Sequence, residues 1–68
     1  MLINTFLIDS GDKTLRADLL QSNDGRLVVE YYFNTDMIDK EILNDRSNML
    51  YIENYIQNKL KNIRVLNG

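Results

Sequence analysis

Residues 22–25 read SNDG between two runs of alternating apolar residues, TLRADLLQ before and RLVVEYYF after. An Asp-Gly pair in that setting is a hairpin signal, and the length of the loop decides which residues face each other. A two-residue loop of Asp24 and Gly25 sets Leu19 opposite Glu30 and Ala17 opposite Tyr32, apolar against polar. A three-residue loop of Asn23, Asp24 and Gly25, with Gly25 in the left-handed bulge position, pairs Leu19 with Val29, Ala17 with Tyr31 and Leu15 with Phe33. Only the second register gives one apolar face, and a slip of one residue would turn every side chain over. The three-residue loop is therefore the expectation. It leaves a second face carrying Arg16, Asp18 and Leu20 opposite Tyr32, Glu30 and Val28.

The segments on either side extend this hairpin into a sheet. MLINTFLID alternates with Leu2, Phe6 and Ile8 on one side, and DSGDK turns the chain into the next strand, with Gly11 available for positive φ. Residues 44–48, NDRSN, are poor helix formers and good caps, with Ser47 the expected N-cap. Beyond them Met49, Ile52, Ile56, Leu60 and Ile63 recur at three and four, the stripe of an amphipathic helix of about four turns. DMIDKEIL, residues 36–43, reads either as a fourth strand or as the start of a helix running to Leu60. A continuous helix would bring Asp45 near the apolar stripe and pass through NDRSN, so the strand is preferred. The expected fold class is α+β: an antiparallel meander of three to four strands with one C-terminal helix on one face, and IRVLNG as an extended tail. A three-stranded sheet with one long helix is the alternative.

A single domain of 68 residues buries only about 60% of its unfolded surface. With no Cys and no His, disulfides and the common zinc sites are excluded, and association with another chain is the remaining way to gain stability. MLINTFLID has neither the basic lead nor the small-residue cleavage site of a signal peptide, and no apolar run is long enough to cross a bilayer. A soluble protein of the cytoplasm is expected. The net charge of −2 divides unevenly: residues 1–45 carry nine acidic and four basic groups, residues 46–68 one and four. Lys59, Lys61 and Arg64 fall where a helix C-terminus favours cations.

Catalytic chemistry finds few residues to use. The usual general base and the most reactive nucleophile are missing, no Ser lies in a GxSxG turn, and no Gly-rich run precedes a helix. Asp9, Asp12, Asp18 and Glu30 could act only as carboxylates, and one small sheet offers no deep cleft to shift their pKa values. Asp18 opposite Glu30 reads as a solvated acid pair beside Arg16 and not as a metal site, and DSGDK lacks the spacing of a calcium loop. No enzyme activity, cofactor or metal is expected. Tyr31 or Tyr32 would suit base stacking, but the sheet is acidic, which disfavours nucleic acid.

Phe, Tyr, Met, Ile, Asn and Lys total 29 residues against 8 of Gly, Ala, Arg and Pro, a balance that fits AT-rich coding. Across the second half of the chain, EYYFN, YIENYIQN and the terminal IRVLNG resemble the small uncharacterised accessory proteins of marine tailed phages that end in a sheet, a helix and a short tail. The resemblance implies phage origin, with the host cytoplasm as location, and no activity. The expected function is protein binding, to a host protein and to itself, through Leu20, Val28 and Tyr32 together with Tyr51 and Tyr55 from the helix flank. A virion or assembly component is the alternative, and a nucleic-acid-binding protein stands behind it.

Overall fold

The computed structural model describes residues 1–43 and 48–67. Its elements are β1 (Leu2–Ser10), β2 (Lys13–Gln21), β3 (Leu27–Phe33), β4 (Asp36–Leu43) and α1 (Met49–Asn67). The strands form one antiparallel sheet in the order β1-β2-β3-β4, a four-stranded meander with one C-terminal helix. DMIDKEIL is thus a strand, and no long helix replaces it.

Turn chemistry sets the register. Between β2 and β3 the Gly25 N–H donates to the Ser22 carbonyl at 3.0 Å and the Ser22 N–H to the Arg26 carbonyl at 2.9 Å, with Gly25 at φ 86°. This is the three-residue bulged loop, and it pairs Leu19 with Val29, Ala17 with Tyr31 and Leu15 with Phe33. The Arg26 N–H also points to Ser22 Oγ and Asp24 Oδ1, at 3.2 and 3.3 Å. Gly11, at φ 71°, opens the two-residue loop from Ser10 to Lys13. Asn34, at φ 56°, does the same from Phe33 to Asp36, and Asn is one of the few residues with a side chain that tolerate this region. Its N–H donates to the Thr14 carbonyl at 2.7 Å and its Oδ1 accepts from the Thr14 N–H at 3.0 Å.

Two edge-strand bulges change what alternation alone implies. Leu2 pairs with Leu20 and Asn4 with Leu19, so Ile3 is an extra residue in β1. The bulge reverses the phase: Phe6 and Ile8 lie on the helix side, as expected, but Leu2 lies on the opposite face and is 56% exposed. In β4, Tyr31 pairs with Asp39 and Tyr32 with Met37, leaving Ile38 as the extra residue.

Helix α1 opens with Asn48, whose Oδ1 accepts the Tyr51 N–H at 3.2 Å, satisfying one of the unpaired amides of the first turn. Ser47, the expected N-cap, lies outside the described residues. Residues 63–67 of IRVLNG are not an extended tail, because the helix continues through Asn67, and Gly68 lies outside the described residues. No Gly or Pro interrupts residues 49–67, and Ile63 still packs against the core, so nothing local stops the helix earlier. Ile52, Ile56 and Leu60 are buried on Phe6, Leu15, Ala17, Leu19, Leu27, Val29 and Tyr31, while Met49, at the head of the stripe, remains 42% exposed.

This core is small, so single truncations weigh heavily. Ile56→Ala is expected to cost about 2–5 kcal/mol against the ~3–5 kcal/mol a core of this size supplies, so its circular-dichroism spectrum at 25 °C should be largely that of an unfolded chain. Gly25→Ala should cost about 1 kcal/mol, because alanine does not adopt positive φ freely, and should lower the urea midpoint without changing its slope.

Candidate protein-interaction surface

The face of the sheet turned away from α1 is built in rows, because cross-strand partners share a face. One row is Leu2, Leu20, Val28 and Ile42, an apolar line across all four strands. Leu2 is 56% and Ile42 53% exposed, with Leu20 and Val28 half-buried between them. The next row is Thr5, Asp18, Glu30 and Lys40, and the third is Leu7, Arg16, Tyr32 and Met37. None of these side chains is buried.

Polar contacts within the face hold its charges in place. The Thr5 hydroxyl donates to Asp18 Oδ1 at 3.1 Å, and Arg16 Nε lies 3.4 Å from the same oxygen. The Arg16 guanidinium stacks on the Tyr32 ring, 4.4 Å from its centre, an arrangement that suits a planar delocalised cation. The Tyr32 hydroxyl donates to Glu30 Oε1 at 3.1 Å. Its pKa is raised, first by lost hydration and then by the bond to Glu30. Asp18 and Glu30 face each other, as the register requires, with Arg16 beside one and Lys40 opposite the other.

Both sheet edges carry a local device against strand addition. The Thr5 N–H donates to Asn4 Oδ1 at 2.9 Å and the Lys40 N–H to Asp39 Oδ1 at 2.8 Å. In each edge strand an Ile-Asx pair therefore supplies a bulge and then a side-chain acceptor for the following amide. Bulges and occupied amides spoil an edge as a template for another strand, which leaves the open face as the larger uncovered surface.

Leu20, Val28 and Tyr32 come together on this face, but Tyr51 and Tyr55 do not join them. Both tyrosines ride on α1, which packs on the other side of the sheet. The Tyr55 hydroxyl donates to Glu41 Oε2 at 2.6 Å, while Tyr51 is 64% exposed. Sequence reasoning missed Leu2, Ile42, Leu7 and Met37. The alternation of DMIDKEIL carried the signal for Ile42, but the bulges at Ile3 and Ile38 are not visible in it.

On the helix side, Lys59 fastens α1 to β4. Its Nζ lies 2.8 Å from Asp39 Oδ2 and pairs with Glu41 Oε1, with the Tyr31 ring centre 4.5 Å away. Burial is the main cause raising the Tyr31 pKa, with Tyr55 and Asp39 adding to it. The Lys59 bond, followed by the bond from the Lys40 N–H, holds the Asp39 carboxyl below its usual range. At the β1 edge, Asn4 Nδ2 donates to Glu53 Oε2 at 3.3 Å. Among the described residues no group of three or more acidic side chains is placed to hold a metal ion, and no helix is long and apolar enough to cross a membrane.

Comparison with protein-family models, with curated proteins and with solved structures finds no match to this chain.

The Lys59 fastening predicts a specific acid response. A carboxyl with a depressed folded-state pKa adds stability above its unfolded value of 3.8, and that contribution is lost as pH falls through the lower folded value. In an NMR titration the Asp39 carboxyl should show its midpoint below 3.8. Lys59→Met should move that midpoint up and flatten the stability profile below pH ~4, since the ion pair no longer favours the charged form.

Proposed function

We propose that this chain is a small non-enzymatic protein-binding module, of the accessory kind that its resemblance to phage proteins implies. It works through the open face of its sheet, and a second copy of itself is the first occupant. The observation that carries this reading is the row Leu2, Leu20, Val28 and Ile42, which crosses the whole sheet with no described element packed upon it. Isolated surface hydrophobes are ordinary, but a continuous apolar line rimmed by polar side chains is the composition of an interface.

Energetics support the same reading. Each 100 Å² of apolar surface removed from water returns roughly 2.5 kcal/mol before the costs of association, which is large beside the ~3–5 kcal/mol of a core this size. The neighbouring row is acidic at its centre, with Asp18 opposite Glu30, which repels nucleic-acid phosphates and favours a protein partner. Without His, Cys or a phosphate-binding loop, the chain offers binding and not turnover.

The test is sedimentation of the whole chain. Leu20→Lys combined with Val28→Lys should leave a folded monomer with a lower melting temperature and no self-association. Arg16→Lys, two residues further along β2 than Asp18 from the apolar row, should sediment as the unaltered protein does. An unaltered chain that stays monomeric at high concentration overturns the reading.

A further inference from the structure

We infer that the second copy docks by a two-fold axis running across the strands through the apolar row, so that Arg26 of each copy meets the partner's Glu30. This inference rests on the self-association proposed above and adds the orientation. Arg26, Val28 and Glu30 are spaced two apart along one strand direction and share the open face, Arg26 continuing the ladder one pair beyond β3. A two-fold axis at Val28 and perpendicular to the strand lays Val28 on the partner's Val28. It also exchanges the two ends, so cation meets carboxylate twice. On β2 the same axis passes Leu20 and carries Ser22, whose hydroxyl donates to Asp24 Oδ1 within its own copy, towards the partner's Asp18. Strand β3 is therefore self-complementary about one line. That line is the row of Leu2, Leu20, Val28 and Ile42.

The competing orientations place like charges together. An axis along the strands, through the middle of the sheet, covers all three rows but sets Asp18 on the partner's Glu30 and Glu30 on the partner's Asp18. Four carboxylates then converge in an interface that excludes water, and their desolvation and mutual repulsion outweigh the added Leu7 and Met37 contact. An axis across the strands through the acidic row sets each carboxylate on its own copy. Only the axis through the apolar row buries apolar on apolar while bringing each Glu30 a cation from the partner, Arg26, in addition to the Lys40 of its own row.

Availability of the cation decides which basic residue serves. Lys59 is held by Asp39 and Glu41 on the helix side, and Arg16 is stacked on Tyr32. Lys40 shares a row with its own Glu30, so the axis carries the partner's Glu30 to the other side of the apolar row and away from it. Arg26 is 65% exposed and its contact is with Asp24, at 3.2 Å on the turn, a surface pair of little strength. It lines a shallow depression at the turn end of the open face together with Ser22, Asn23, Asp24, Val28, Lys40 and Ile42. Sheets packed face to face stand ~10 Å apart, a gap that an arginine and a glutamate reaching from opposite sides span.

Charge reversal tests the pairing. Arg26→Glu leaves each copy with two acids at the contact, and Glu30→Arg leaves two cations. Each variant alone should self-associate at least about tenfold more weakly than the unaltered chain, since close interfacial charge pairs couple by this much or more. An equimolar mixture of the two should recover the unaltered affinity to within about threefold, because both contacts are rebuilt between unlike copies. Sedimentation with one variant fluorescently labelled reads this directly. If circular dichroism finds either single variant unfolded, the chain carrying Arg26→Glu and Glu30→Arg together takes its place: a dimer supports the pairing and a folded monomer overturns it. Single variants that dimerise as the unaltered chain does also overturn the orientation, while leaving the open-face reading to the Leu20→Lys, Val28→Lys result. An unaltered chain that never self-associates overturns both.

Discussion

One helix of 19 residues lies on one side of a four-stranded sheet, and this one-sided burial is the constraint on which the remaining features depend. The helix delivers Ile52, Ile56 and Leu60 to a platform of Phe6, Leu15, Ala17, Leu19, Leu27, Val29 and Tyr31. Among the described residues those side chains form the buried core, and no charged or polar residue is buried with them. Antiparallel sheets tolerate one solvated face when it is polar. Here the solvated face is only partly so, since one of its three rows is apolar throughout.

The edges and the helix flank show how the chain limits unwanted association while leaving that face open. Ile3-Asn4 in β1 and Ile38-Asp39 in β4 place a bulge and a side-chain acceptor at each edge. Lys59 ties the helix to β4 through Asp39 and Glu41, and Tyr55 adds a bond to Glu41. Asp39 thus serves twice, accepting the Lys40 amide and the Lys59 ammonium. The two tyrosines on the helix belong to this fastening side and not to the open face, which narrows the candidate surface to the sheet.

Electrostatics decides how such a face can be covered. Asp18 and Glu30 stand opposite each other in the middle of the sheet, so any partner must avoid adding acid there. Within the chain, Thr5, Arg16 and Tyr32 attend to these carboxylates, but contacts of this kind satisfy hydrogen bonds without cancelling both charges. A partner that brings a cation beside Glu30 while leaving the apolar line dry satisfies both requirements. Arg26, on the same strand at the opposite side of Val28, gives a second copy that property.

The sequence by itself determined the central hairpin, because Asn23-Asp24-Gly25 admits one register that keeps Leu19, Ala17 and Leu15 on a common apolar face. It determined the helix stripe for the same reason: period and turn chemistry are local, and each is set by neighbours along the chain. Residues 36–43 it left between a preferred strand and the start of a long helix, because their alternation alone does not separate the two, and pairing with β3 decided for the strand. The tertiary structure alone decided the rest. The bulges at Ile3 and Ile38 arise from how edge strands fit beside their partners, and they moved Leu2 to the open face. The helix ran on through Asn67 because Ile63 found the core. Tyr51 and Tyr55 parted from Leu20, Val28 and Tyr32 because the helix chose a side of the sheet, and the continuous line from Leu2 to Ile42 exists only once four strands separated in sequence lie in register.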